Sequence, residues 1–386
     1  MALENQRIPV PLIFQEFGNV HEPDIIKRIF FYLDYNSFKK CQRVCRSWRS
    51  LLTSEAYISM GKTVFLEKLV DIERELYDKA SEGELDEVMR LISCPMVDVN
   101  CERLCGELPT SPLCSAIREG HMGVIQALLD RGADPNKSTY HHGIKDHRYN
   151  HGMSPLRIAI FNGFEEIVRV LLDYGANPNE TSYGTCMTAL HMAAIKSRER
   201  IIRLLIHAGA DPSPANNKGH TPLHLVRSHM GVITELINGG AAVDKPDNSG
   251  CTPLYHAASM RRNKFLVLAL IQHGANPDGA DHNGGTALHR AALFGCTPVV
   301  EVLLERGADP NKRNNLGQTP LHIAVIKFQK NVAQTLVKSL ARTDVADNDG
   351  RTPLTLATGD KEMIDILNGT VPGLVEKTVK DSDSDE

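Results

Sequence analysis

Histidine carries most of the chemical potential in this chain. Sixteen are present, and an imidazole titrates near neutral pH, moves protons and ligates metals. Four of them, His191, His224, His289 and His322, recur at the fourth position of a Thr-Pro/Ala-Leu-x motif. A general base is needed once, so recurrence at a fixed period marks scaffold residues. Four others, His141, His142, His147 and His151, crowd beside Asp146. That set could wrap a zinc or nickel ion. A solvated loop rich in His and Asn accounts for it more simply, and its spacing fits no standard site. Cys94, Cys101, Cys105 and Cys114 also cluster, without the paired spacing of a zinc ribbon, and read as small apolar core residues. There is no Walker loop, no Gly-x-Ser-x-Gly and no His-Glu-x-x-His, so no hydrolase or nucleotide-binding motif is in place. The sequence predicts a non-catalytic protein with no resident metal and no cofactor.

The chain has 386 residues, 42% hydrophobic and 23% charged, which is ordinary globular usage and argues against wholesale disorder. No apolar run approaches the ~20 residues of a membrane helix, and the opening residues lack the pattern of a signal peptide. The formal charge is −4, and four acids lie in the last six residues (Asp381, Asp383, Asp385, Glu386). The rest is balanced, with no general electrostatic drive towards nucleic acid. Nine cysteines without a secretory signal read as reduced thiols, hence a cytoplasmic or nuclear protein.

The elements that carry these residues are repeats. The motif begins at Ser111, Ser154, Thr188, Thr221, Thr252, Thr286, Thr319 and Thr352, in steps of 43, 34, 33, 31, 34, 33 and 33 residues. Gly-Ala-Asp/Asn keeps pace at Gly132, Gly175, Gly209, Gly274 and Gly307, with Gly240-Ala241-Ala242 a weaker copy. Thr or Ser is a helix N-cap, Pro fits the first helical position, and Gly lets the chain leave the second helix with positive φ. The long step falls in Lys137–Gly152, and the unit at Thr221 is short around Val226–Met230. The short unit should bend or loosen the stack.

Stretches such as GGTALHRAALFGCTPVVEVLLERGADPN resemble ankyrin repeats. With a degenerate first copy around Ala80–Asn100, the resemblance implies about nine helix–turn–helix units over 72–369, the last one shortened.

Ahead of them the period is absent. Ile25, Ile26, Ile29, Phe30 and Leu33 make one apolar helical face behind Pro23, and a second helix carries Phe38, Val44, Trp48 and Leu51. Two helices this short are marginal alone, so a partner or docking onto the repeats is expected. The run PDIIKRIFFYLDYNSFKKCQRVCRSWRSLL resembles the F-box, a helical module that binds the Skp-type adaptor of cullin–RING ubiquitin ligases. The resemblance implies adaptor binding through Pro23, Ile25, Ile26, Ile29, Phe30, Leu33, Val44 and Trp48. His21-Glu22 stand where the family has Leu-Pro, a departure that bears on adaptor affinity. A helical hairpin that merely caps the array is the other reading of this region.

The expected organisation is all-α: a leader over 1–20, an F-box-like module over 21–58, a linker helix over 59–71, the repeat solenoid over 72–369 with a His-rich turn at 137–152, and an acidic tail over 370–386. In ankyrin stacks partners lie across the first helices and turn tips. Positions six to nine residues past the motif are free of core duty, and among or next to them stand Phe161, Lys196, Arg198, Arg227, Arg261, Arg262, Phe294 and Phe328. Basic groups flanked by aromatics suit interface hot spots. They point to a target with an acidic or phosphorylated segment, though a solvated face with scattered charges has the same composition. The expected role is substrate-recognition adaptor of a Skp–cullin–F-box ligase. The alternative is a ligase-independent scaffold or inhibitor.

Overall fold

In a computed structural model the described residues are 71–94, 97–105, 108–138, 153–227, 229–260 and 263–370. The expected adaptor-binding residues, the linker, the His-rich turn from 139 to 152, Arg261, Arg262 and the chain beyond 370 lie outside them. The chain divides at Pro155 into two compact units.

In the first unit, helical residues 71–82 (α1) precede α2 (Leu85–Ile92). Two three-residue strands follow, β1 (Arg103–Cys105) and β2 (Leu108–Thr110), antiparallel with Arg103 opposite Thr110. Then come α3 (Pro112–Glu119) and α4 (Met122–Asp130). Ser111 caps α3 by accepting the Cys114 amide at 3.2 Å, and Val88, Leu91, Ile117, Ile125 and Leu128 are buried between the helices. The helical class expected from the sequence holds, with this one short ladder added among the described residues. Three residues a side are too few for a period-of-two signal.

The second unit contains seven helix pairs among its described residues: α5 (Pro155–Asn162) with α6 (Glu165–Asp173), α7 (Ala189–Ile195) with α8 (Glu199–His207), α9 (Pro222–Leu225) with α10 (Met230–Asn238), α11 (Pro253–Ala257) with α12 (Lys264–Gln272), α13 (Ala287–Phe294) with α14 (Thr297–Glu305), α15 (Pro320–Ile326) with α16 (Lys330–Lys338), and α17 (Pro353–Leu356) with α18 (Lys361–Leu367). With the two pairs of the first unit they make nine helix pairs among the described residues, in line with the roughly nine units expected. No helix of the second unit's described residues exceeds nine residues, a length that is marginal in isolation. Stability therefore comes from stacking, each pair burying apolar side chains against its sequence neighbours. Leu190, Leu223, Leu254, Leu288 and Leu321, the Leu of successive motifs, are each buried, as are Ile202, Val232, Val267, Val300 and Val332.

The turns between pairs are built alike. Asn216, Asp247, Asp281, Asn314 and Asp347 each accept backbone N–H bonds two and four residues ahead through one side-chain oxygen. Neighbouring turns are then joined, for example Asn248 N–H to Lys218 O at 3.1 Å and Asn315 N–H to Asn283 O at 2.9 Å. The unit at Thr221 is reduced as its length implies: α9 has four residues and stops at Val226 in extended conformation. The shortening falls on the helix and leaves the bracing bonds on both sides in place, so those seams are not loosened.

Candidate functional site: the histidine braces, the exposed face and a histidine–aspartate cluster

The recurring histidines close reciprocal caps. In α7, α9, α13 and α15 the Nδ1 of His191, His224, His289 and His322 accepts the backbone N–H of the capping Thr at 3.0–3.2 Å. A backbone N–H only donates, so Nδ1 is unprotonated and Nε2 carries the hydrogen. Each Nε2–H donates to a carbonyl of the following unit: His220, Cys251, Gln318 and Arg351, at 2.9–3.1 Å. Burial pushes all four imidazoles below their ordinary value, His224 to about 4. These rings are neutral struts between units, as their period suggested.

The residues expected to meet a target are placed unevenly. Phe161, Phe294 and Phe328 are 37%, 43% and 72% exposed, and Arg227 is exposed. The Lys196 ammonium lies 4.0 Å from the centre of the Phe161 ring, a cation–π contact. Arg198 is half-buried with a buried Nε. Its guanidinium packs over Gly163, where an added Cβ would collide with it. It supports the stack more than it faces outward. Arg290 went unnoticed in the sequence because it sits inside the motif. Its guanidinium stands 4.7 Å from the Phe294 ring and 5.3 Å from the Tyr255 ring. Nothing local signals that pairing, since Tyr255 belongs to the preceding unit.

A second arrangement was also invisible in sequence. Asp247, in the turn before α11, accepts the Ser249 and Cys251 amides through Oδ1 at 2.7 and 3.0 Å. Its Oδ2 faces His256 Nε2 at 2.8 Å and His220 Nε2 at 3.4 Å. Burial raises the Asp247 carboxyl, but the bonds from His256 and the two amides outweigh it, and it lies below the ordinary carboxylate value. His224 stacks on His220 with centroids 5.6 Å apart and meets His256 edge-on at 5.4 Å. Among the described residues this is the group of donors close enough to hold a metal ion. Of the cysteines expected to be core residues, Cys94, Cys101 and Cys114 are free thiols, and of these Cys114 is buried while Cys94 and Cys101 are half-buried; the Cys105 side chain lies outside the described residues. Burial pushes Cys114 up to about 11 and Cys101 up to about 12, which disfavours thiolate ligation.

No helix among the described residues is long and apolar enough to cross a membrane. A family model described as ankyrin repeats in three copies matches residues 76–182, 225–314 and 307–373, and a second, ankyrin repeats in many copies, matches 165–206. The F-box domain model matches residues 23–57. No curated protein matches. Among solved structures, the chain is similar to the ankyrin repeat domain of Bcl-3, described as a unique member of the IkappaB protein family. The two are 28% identical with a TM-score of 0.52, over 57% of this chain and 100% of that one. Both modules are non-catalytic protein-interaction domains. Most of the chain lies within the ankyrin matches, and it belongs to the ankyrin-repeat family, as a member that carries an F-box ahead of its array.

Proposed function

We propose that this protein is the substrate-recognition subunit of a Skp–cullin–F-box type ubiquitin ligase. The observation that carries the reading is the order of its modules, an F-box domain at 23–57 ahead of a protein-binding array. On this reading the segment 21–58 grips the Skp-type adaptor through Pro23, Ile25, Ile26, Ile29, Phe30, Leu33, Val44 and Trp48. The adaptor links it to the cullin scaffold. The array holds a target protein, and catalysis is by proximity: target lysines sit at high effective concentration beside a charged conjugating enzyme. The protein itself forms no covalent bond.

The target-binding face is assigned to Phe161, Lys196, Arg227, Phe294 and Phe328, joined by Arg290 and, from the sequence, Arg261 and Arg262. Arg198 contributes by holding the helix pair beneath Lys196. Cations flanked by aromatic rings fit a target segment that is acidic or phosphorylated and has apolar anchors.

The test is capture of a Skp-type adaptor by the full chain and by a Leu33→Ala/Trp48→Ala variant, with helical content followed by circular dichroism. Losing two large apolar side chains costs several kcal/mol, about 3–5 for Trp alone, so capture should collapse while the helical signal stays. No capture by the intact chain would sink the ligase reading. It would favour the ligase-independent scaffold, which His21-Glu22 in the Leu-Pro position supports.

A further inference from the structure

His220 and His256 do no recurring work. His220 directly precedes a capping threonine, and no other unit has histidine there. His256 takes the fifth motif position, again unique, while the fourth position of that unit holds Tyr255 in place of the bracing histidine. Both imidazoles nevertheless present Nε2 to one oxygen of Asp247, and the three ligand atoms lie within 4.8 Å of one another. We propose that His220, Asp247 and His256 form a binding site for a zinc-class divalent cation, which ties the shortened unit at Thr221 to the unit that follows it.

The donor set fits this ion, and the two histidine–aspartate separations are close to what it requires. Zinc takes imidazole and carboxylate donors at roughly 2.0–2.1 Å, which places ligands of a tetrahedral site about 3.4 Å apart. The His220–Asp247 separation is 3.4 Å already. The His256–Asp247 separation of 2.8 Å has to open by roughly half an ångström on that geometry. Two imidazoles exclude a magnesium or calcium preference, since those ions select oxygen ligands.

The site is also held in shape. Asp247 is buried and keeps Oδ1 on two backbone amides, which leaves Oδ2 aimed at the rings. His224 packs against both histidines, and its own nitrogens are engaged by Thr221 and Cys251. It orients the ligands without being one. The imidazoles keep 21% and 30% of their side-chain surface, so a fourth position is open to water. The ligands span two successive units, and the one supplying His220 has a first helix of only four residues. A metal bridge would add a second tie at the seam already braced by His224 and the Cys251 carbonyl. The inference is independent of the ubiquitin-ligase reading.

The experiment uses the reduced full chain stripped of metal. Zinc is titrated in competition with a chromophoric chelator, and cobalt is followed by its visible bands, which report four-coordination. The comparison is with Asp247→Asn, His220→Ala and His256→Ala, and with His273→Ala as an exposed histidine outside the cluster. Asn216 and Asn314 hold the equivalent turns, so Asp247→Asn keeps the turn and serves even where an alanine variant loses helix. The expected result is one equivalent of zinc bound by the intact chain and by His273→Ala, weakened about tenfold or more in the three cluster variants, with tetrahedral cobalt bands lost in parallel. Failure of the intact chain to bind zinc would overturn the proposal. So would cluster variants that bind with unchanged stoichiometry and affinity.

Discussion

Each bracing histidine has both ring nitrogens engaged by backbone, Nδ1 as acceptor within its own unit and Nε2 as donor to the next. Protonation would set a second donor against the Thr286 or Thr319 amide, and burial opposes the charge as well. The folded values of His289 and His322 therefore lie below the ordinary 6.5. A depressed folded value means that the unfolded chain binds the proton first. Their contribution is complete above pH 6.5 and is lost as pH falls through the folded value. Replacing His322 with Gln should lower stability at pH 7.5 by about 1–3 kcal/mol. The gap from the parent should narrow on acidification, read as urea midpoints across pH 7.5 to 4.5, and a constant gap would remove His322 as the source. Phe328 carries a different signal. It has φ of +54° where Gly120, Gly163 and Gly295 stand in other units, and it is the most exposed of the aromatic residues assigned to the target face. A left-handed aromatic residue costs about 1–2 kcal/mol, and persistence of such strain points to use. Phe328→Gly should gain about 0.5–1 kcal/mol in stability, after the extra chain entropy of glycine, and weaken target capture. A variant that is both less stable and equally good at capture would refute that assignment.

Among the paired elements, length decides local stability. The four residues of α9 close a single turn, and the His224 amide bonds to Thr221 at 3.0 Å in the tighter i−3 pattern. In α13, by contrast, eight residues end in a left-handed Gly295 that returns its amide to Ala292. Low local bonding means low-energy opening. Amide hydrogen exchange should be much faster over 225–230 than over the corresponding 290–295, and equal protection would contradict this reading. The element boundaries were legible beforehand, because Thr caps, Pro at the first position and Gly exits are local chemistry. The β1–β2 ladder was not, since three residues a side leave no periodic trace.

Across the whole molecule the proposed role needs two separable surfaces. Reversing Lys196 and Arg227 to Glu should reduce target capture by an order of magnitude or more, taking at least 1.4 kcal/mol for the pair, and leave adaptor capture intact. Leu33→Ala/Trp48→Ala should do the opposite. Both can be read in one co-precipitation with tagged partners, and loss of both activities in either variant would count against independent modules. Such independence is expected of repeat arrays, where each unit contacts only its neighbours.

What recurs in this chain could be read without coordinates. A period near 33 residues reports duties that every unit repeats, such as the Thr319 cap, the buried Leu321 and the His322 brace, each dictated by neighbours a few residues away. The F-box segment has no such period and is legible instead through the ordered set of residues, from Pro23 to Trp48, by which it resembles that family. What happens once could not be read. His220, Asp247 and His256 converge, Arg290 settles between Tyr255 and Phe294, and Arg198 turns in over Gly163 only when one helix pair is laid on the next. Those meetings depend on the offset between stacked units, a property of side-chain packing across 30 or so residues of intervening chain, and no local spacing encodes it.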